Sequence, residues 1–287
     1  MITANRAFHE RRGEMYRRHI ILLVTGILLS NSAHGQMVDQ FNPPTSNSSL
    51  PATARNLAEQ LLDWNQLGRY HQNNQELRTQ PSDPGRVVFM GDSITDFWRL
   101  ADYFPEKPYV NRGISGQTTS QMLVRMFPDV INLKPAAMVL LAGTNDISQN
   151  TGPQTAEMIE QNIQAMAELA QSHGIKVILC ALLPVSDYPF LNQQNQPQGS
   201  GINRRGGFMT RAKITDTRPP ADILELNAWL RDFAERTNAV YVDYFGALVD
   251  EKGWLREDCS ADGLHPNAEG YGIMTPLVEE AISAALK

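Results

Sequence analysis

A serine lying between a buried strand and a helix is the first residue in this chain that can do chemistry. Val87 to Met90 form a short continuous apolar run, which stops at Gly91-Asp92-Ser93 before a helix-compatible segment. A serine at such a junction sits in a sharp turn, with the free N–H groups of the first helical turn nearby. That suits a nucleophile, which needs exposure, a fixed position and donors for developing negative charge. Alone, Gly-Asp-Ser marks a turn just as readily, so its partners decide. Histidine is the usual base, and the chain has six. His9, His19 and His34 fall in a segment expected to be removed. His71 stands among Asn and Gln, as a solvated residue would. His173 ends a helix before Gly174, where an imidazole favours the helix dipole. His265 is left, in a loop of Asp, Gly and Pro, and Asp262 precedes it by three residues. That spacing lets a carboxylate take the Nδ1 proton and leave Nε2 facing Ser93. An aspartate that only caps an Asp-Gly turn would have the same sequence. Donors for an oxyanion could be the Ser93 N–H, a glycine N–H such as that of Gly116, and the Asn145 side-chain amide; singly, Gly116 and Asn145 also read as turn formers.

These residues need a scaffold that brings distant positions to one edge. Apolar runs at 87–90, 109–111, 137–141, 176–183 and 239–244 read as strands, and four of them end in glycine or polar residues or at Pro184. Helical spacing separates them: 118–132, with Pro128 expected to bend or break it; 153–173, stopped by Gly174; 220–238; and a last helix to Lys287. Another helical pattern spans 52–77, through Leu57, Leu61, Leu62, Trp64 and Leu67. Strands alternating with helices predict an α/β fold, a five-stranded parallel sheet with helices on both faces. Such sheets bind ligands beyond the carboxyl ends of their strands, where Ser93, Gly116, Asn145 and the start of a long aperiodic stretch, 187–220, all fall. A loop of that length is functional or disordered. Its Arg204 and Arg205 are a solvated tip or a contact for an anionic or sugar substrate.

The 287 residues are 42% hydrophobic and 20% charged, ordinary for a globular protein. The formal charge of −6 argues against nucleic acid or an anionic membrane surface as the main partner. Two cysteines, Cys180 and Cys259, exclude a disulfide scaffold and a thiolate metal site; in an oxidising compartment they could pair with each other. Arg17, Arg18 and His19 precede an apolar run from Ile20 to Leu29, and small residues follow up to Gly35. This is the pattern of a secretory signal peptide, 1–35, with 1–14 as a possible upstream extension and cleavage after Gly35. The run is short for a membrane span, and an uncleaved anchor is the alternative. Cleavage would remove five arginines and two glutamates, taking the charge to −9. Residues 36–51, rich in Asn, Ser and Pro, read as a flexible leader, and 52–287 as a single domain.

Four motifs carry a family resemblance: Gly91-Asp92-Ser93-Ile94, Asn111-Arg112-Gly113-Ile114-Ser115-Gly116, Gly143-Thr144-Asn145-Asp146 and Asp262-Gly263-Leu264-His265-Pro266. They resemble, in order, the four sequence blocks of the SGNH hydrolases, or GDSL esterase/lipase family, over roughly residues 84 to 286. Within it the chain looks most similar to bacterial acylhydrolases related to platelet-activating-factor acetylhydrolase. The resemblance implies a flavodoxin-like three-layer α/β/α domain and an acyl-enzyme mechanism. It makes Ser93 the nucleophile, Asp262 and His265 its partners, and Ser93, Gly116 and Asn145 the oxyanion donors. Gly116, rather than Gly113, matches the second block because it directly precedes Gln117-Thr118-Thr119. Many relatives have aspartate where this chain has Gln117, a change expected to matter little if the donor is backbone. The Gly-x-Ser-x-Gly elbow of α/β-hydrolases is absent.

The expectation is an exported, periplasmic or secreted, serine ester hydrolase with no metal or cofactor and no stable membrane insertion after cleavage. Its substrate would be a small-molecule or carbohydrate ester, acetylated carbohydrate first. A lysophospholipase or thioesterase is the alternative enzyme, and a carbohydrate-binding protein without activity the alternative class. Trp98, five residues past Ser93, either lines an acyl pocket or packs in the core.

Overall fold

In the computed structural model of the chain, residues 61–81, 83–194 and 213–287 are described. The expected signal peptide and leader, and Arg204 and Arg205, lie outside them. The apolar runs become strands and the periodic segments helices. In chain order these are α1 (His71–Thr79), β1 (Val87–Gly91), α2 (Ser93–Asp96), β2 (Tyr109–Gly113), α3 (Thr119–Val124) and β3 (Ala137–Leu141). Then follow α4 (Thr144–Ile147), α5 (Ala156–Ser172), β4 (Lys176–Cys180), α6 (Ile214–Thr217), α7 (Pro220–Thr237), β5 (Val240–Val242) and α8 (Ala268–Ala285). All five strands are parallel, in the order β2-β1-β3-β4-β5. Successive strand residues point to opposite faces, so each face gathers its own core. Val88, Met90, Met138, Leu140, Val177 and Leu179 pack with Ile159, Ile163 and Met166 of α5 and Leu226, Leu230 and Phe233 of α7. On the other face Val87, Phe89, Val139, Leu141, Ile178 and Cys180 pack with Tyr271, Met274, Val278 and Ile282 of α8. This is the expected three-layer α/β/α sandwich. Its strand order reverses between β1 and β3, the place where such sheets open a crevice.

Several expectations need correction. Within the described residues the helix expected over 52–77 is interrupted. Helical backbone stops at Leu62 and resumes at His71. Between them the Asp63 carboxylate accepts the N–H groups of Leu67 (2.8 Å) and Gly68 (3.0 Å), a side-chain turn that competes with helix. Leu61, Leu62 and Trp64, three of the residues that made the pattern, are exposed. The helix at 118–132 is broken, as Pro128 was expected to make it, but the break falls ahead of the proline: helix ends at Val124 and restarts at Met126. Pro128 has no N–H for the Val124 carbonyl, and its ring crowds that oxygen, so the break falls one turn ahead of the proline. The stretch 187–220 is not wholly irregular: helices at Tyr188–Gln194 and Ile214–Thr217 stand at its two ends. Cys180 and Cys259 are both free thiols, buried in the second core, and no disulfide joins them.

Gly91 closes β1 with no room for a side chain. A Cβ there would collide with Thr95 Oγ1 and lie 2.8 Å from the Leu141 carbonyl oxygen. Gly91→Ala should therefore destabilise the fold by about 1–3 kcal/mol, the usual cost of overpacking, and displace Ser93. Urea unfolding will measure the first effect; a midpoint equal to wild type would contradict this account of the turn.

Candidate active site

Ser93 is placed by what surrounds the β1–α2 turn. The Asp92 carboxylate caps α2, accepting the Ile94 N–H at 2.9 Å. Asn111, at the middle of neighbouring β2, donates to the Thr95 and Trp98 carbonyls at 2.6 and 2.9 Å. From α8 the Tyr271 hydroxyl donates to the Ile94 carbonyl at 2.7 Å. As the first residue of α2, Ser93 presents one of the helix's free N–H groups.

The loop before α8 brings the other two residues. Ser93 Oγ lies 2.8 Å from His265 Nε2, and His265 Nδ1 lies 2.7 Å from Asp262 Oδ2. The second carboxylate oxygen, Oδ1, accepts the backbone N–H groups of Leu264 (3.0 Å) and His265 (2.8 Å). Ser260 pins the loop: its hydroxyl donates to the His265 carbonyl at 2.8 Å and accepts the Gly263 N–H at 3.0 Å. Gly263 has φ +83°, and a Cβ there would strike the Ser186 carbonyl oxygen; that tight approach joins the loop to the one that follows β4. Partial burial pushes the Asp262 carboxyl up, but the hydrogen bonds from the His265 ring and the two backbone N–H groups outweigh it and hold the group well below the usual carboxylate range.

Gly116 and Asn145 lie in the segments after β2 and β3, the strands on either side of β1. Asn145, in α4 after β3, donates from Nδ2 to the Gln117 carbonyl at 3.0 Å, and Asn150 Nδ2 donates to the Gly116 carbonyl at 3.1 Å. Gly116 itself has φ +81°. The Gln117 side chain was expected to matter little, yet it is buried. It accepts from Arg125 Nε at 2.7 Å and donates to the Asn65 carbonyl at 3.0 Å, anchoring the backbone that Asn145 touches.

Trp98 does not join this group. It is 2% exposed, stacked on Tyr271 and edge-on to Phe89, so its place is the core and not an acyl pocket. Its neighbour Phe97 takes the exposed position instead, with its ring centroid 5.2 Å from that of His265. A cavity of about 280 Å³ adjoins the same histidine, lined by Pro189, Phe190, Ile214 and Leu264 beside Asp262 and His265. Arg218, at the end of α6, reaches Asn145 Oδ1 from Nη2 at 3.3 Å. Neither Phe97 nor Arg218 was legible beforehand. An exposed aromatic and a lone arginine ahead of Pro219-Pro220 have no motif to single them out.

The profile of the GDSL-like Lipase/Acylhydrolase family matches residues 89–273, about two thirds of the chain. A GDSL-like lipase from Bacteroides thetaiotaomicron has a similar structure, with TM-score 0.65 and 37% identity, covering 78% of this chain and 100% of that one. The lipoprotein YqeF of Bacillus subtilis is 30% identical over 118 residues, 34% of this chain and 49% of YqeF. Esterase TesA of Pseudomonas aeruginosa is 31% identical over 120 residues, 37% of this chain and 58% of TesA. The chain thus spans about half the length of the curated relatives it matches.

Asp92 supplies a pH test of the site's electrostatics. Burial raises its carboxyl to about 6, against the opposing hydrogen bond from the Ile94 N–H and the charge of His265. Between about pH 4 and 6 the folded protein then holds a proton the unfolded chain has released, so this residue's contribution to stability falls as pH rises. Asp92→Asn keeps an acceptor for Ile94 but does not ionise. Relative to wild type, the variant should gain up to about 3 kcal/mol between pH 4 and 7. Urea unfolding at both pH values will show it, and a pH-independent difference would contradict it.

Proposed function

The chain belongs to the GDSL-like lipase/acylhydrolase family, and from that membership we propose that it is a serine ester hydrolase working through an acyl-enzyme on Ser93. One observation carries the reading: the unbroken line of hydrogen bonds from Ser93 Oγ through His265 to the Asp262 carboxylate, 2.8 and 2.7 Å. His265 Nε2 takes the Ser93 proton as Oγ attacks the ester carbonyl, and the imidazolium is stabilised by ionised Asp262. The oxyanion rests on the N–H groups of Ser93 and Gly116 and on Asn145 Nδ2. His265 then returns the proton to the departing alcohol. In the second half the same nitrogen deprotonates a water that attacks the acyl carbonyl, and Ser93 leaves with a proton again.

The substrate is a short acyl ester, acetylated carbohydrate first. A cavity of about 280 Å³ beside His265 is at or below the small end of ligand pockets, about 300–1,000 Å³, which supports small acyl or alcohol groups. The exposed Phe97 ring against His265 offers an apolar face of the kind sugars stack on. Lysophospholipid and thioester hydrolysis are the alternatives, and a binder without activity would have little use for so complete a set. The basic and apolar pattern of residues 17–35 supports export to the periplasm or medium. No helix among the described residues is long and apolar enough to cross a membrane.

Ser93→Ala should abolish release of p-nitrophenol from its acetate ester with the circular dichroism unchanged; turnover equal to wild type would sink the proposal. Asn145→Ala should lower kcat by about 10²–10³, the loss typical of one oxyanion donor. Among acetylated xylan, acetylated pectin, lysophosphatidylcholine and p-nitrophenyl esters of rising chain length, the acetyl substrates should be turned over fastest. A preference for the long acyl chains would move the assignment to lipid.

A further inference from the structure

A side-chain amide makes a useful oxyanion donor only if it faces the right way. Flipped about its last torsion, Asn145 would turn a carbonyl oxygen toward the developing negative charge. We propose that Arg218 is a positioning residue for the reaction, its guanidinium holding the Asn145 amide with Nδ2 toward the reacting carbonyl. This inference rests on the acyl-enzyme reading above.

A guanidinium has donors and no acceptor, so the atom of Asn145 it contacts at 3.3 Å must be Oδ1. The other end of the amide has two N–H bonds, and one goes to the Gln117 carbonyl at 3.0 Å. The second has no acceptor among the described residues and is left for the oxyanion. Arginine at one end and a backbone carbonyl at the other thus define a single orientation, with Asn145 itself 4% exposed.

Arg218 is itself held in place. Its N–H donates to the Ile214 carbonyl at 3.0 Å, and Nη1 to Thr217 Oγ1 at 3.2 Å. Pro219 follows it, which keeps the Arg218 backbone out of the helical region, at φ −135° and ψ 75°, and Pro220 begins α7 at once. Upstream, the buried Asp187 carboxylate accepts the Thr215 hydroxyl at 2.6 Å and its N–H at 3.2 Å, tying α6 to the loop after β4. The guanidinium forms no ion pair among the described residues, and its buried Nε has no hydrogen-bond partner there. Its environment supplies charge without contact: burial lowers its pKa while the charges of Asp92 and Asp262 raise it. A cation bonded to Oδ1 also polarises the amide, making Nδ2–H a stronger donor. The arginine therefore orients and strengthens the donor without touching substrate.

A double-mutant cycle tests this directly, using Arg218→Ala, Arg218→Lys, Asn145→Ala and the pairs with Asn145→Ala, on p-nitrophenyl acetate. Arg218→Ala should lower kcat about 10-fold with KM changed less than about 2-fold, and Arg218→Lys should fall between it and wild type. In the Asn145→Ala background either change should cost less than about 2-fold, because the group it acts through is gone. An equal loss in both backgrounds would overturn the inference, since Arg218 would then act on the His265–Asp262 pair or on the fold. Wild-type kcat in Arg218→Ala would overturn it as well. So would a loss confined to KM for an anionic ester such as mono-4-nitrophenyl succinate, which would make Arg218 a substrate contact. Should Arg218→Ala unfold, as thermal melting would show, the lysine cycle decides alone. A wild type without Ser93-dependent turnover overturns the ester hydrolase reading; turnover that needs Ser93 but ignores Arg218 overturns only this inference.

Discussion

The hydrogen bond between the Asp262 carboxylate and Nδ1 of His265, 2.7 Å long, decides which nitrogen is left for Ser93. A neutral imidazole carries one proton, and a carboxylate at Nδ1 keeps it there, so Nε2 arrives as an acceptor. The arrangement depends on Asp262 staying ionised. The backbone donors of Leu264 and His265 see to that by saturating its other oxygen. Both donors belong to the same tight turn, so the loop that places the carboxylate also maintains its charge. Three residues of separation along the chain are enough for the carboxylate to reach the ring within one loop.

Ser93 comes from the other end of the domain, 172 positions before His265, and meeting it requires the sheet. Parallel strands deliver Ser93 after β1, Gly116 after β2 and Asn145 after β3 at the same edge, because each strand must end there before its crossover helix begins. Small polar bonds then stitch the loops together. Asn111 joins β2 to the turn of α2, Asn145 and Asn150 join the loop after β3 to that after β2, and the Gly263–Ser186 approach joins the histidine loop to the loop after β4. Beneath them, buried Gln117 and the Arg125–Asp129 ion pair form a polar base under the second strand loop. Loops usually bring freedom; here each is clamped to the next.

How much of this could be read from the chain alone follows from the range of each interaction. Strand runs and the helices of α5 and α7 were visible because burial on one face imposes a period that sequence displays. The serine, histidine and aspartate were visible because their chemistry limits residue type and, for the last two, spacing. Trp98 was ambiguous because its type suits both pocket and core; only the packing of Tyr271 and Phe89 around it settles the matter. The interruption after Leu62 depends on one aspartate hydrogen-bonding its own neighbours, a contact that the apolar spacing of 52–77 conceals. Arg218 was invisible for a different reason: its partner lies 73 positions away, and nothing local marks an arginine whose task is to orient an asparagine.

His265 makes Ser93 nucleophilic in the proposed mechanism, and covalent labelling reads this most directly. Incubation of the full chain with a fluorophosphonate, followed by intact-mass and peptide mass spectrometry, should give one adduct per chain, on the peptide carrying Ser93. The labelling rate should collapse in His265→Ala. An adduct on another residue, or labelling at the wild-type rate without the histidine, would contradict the claim.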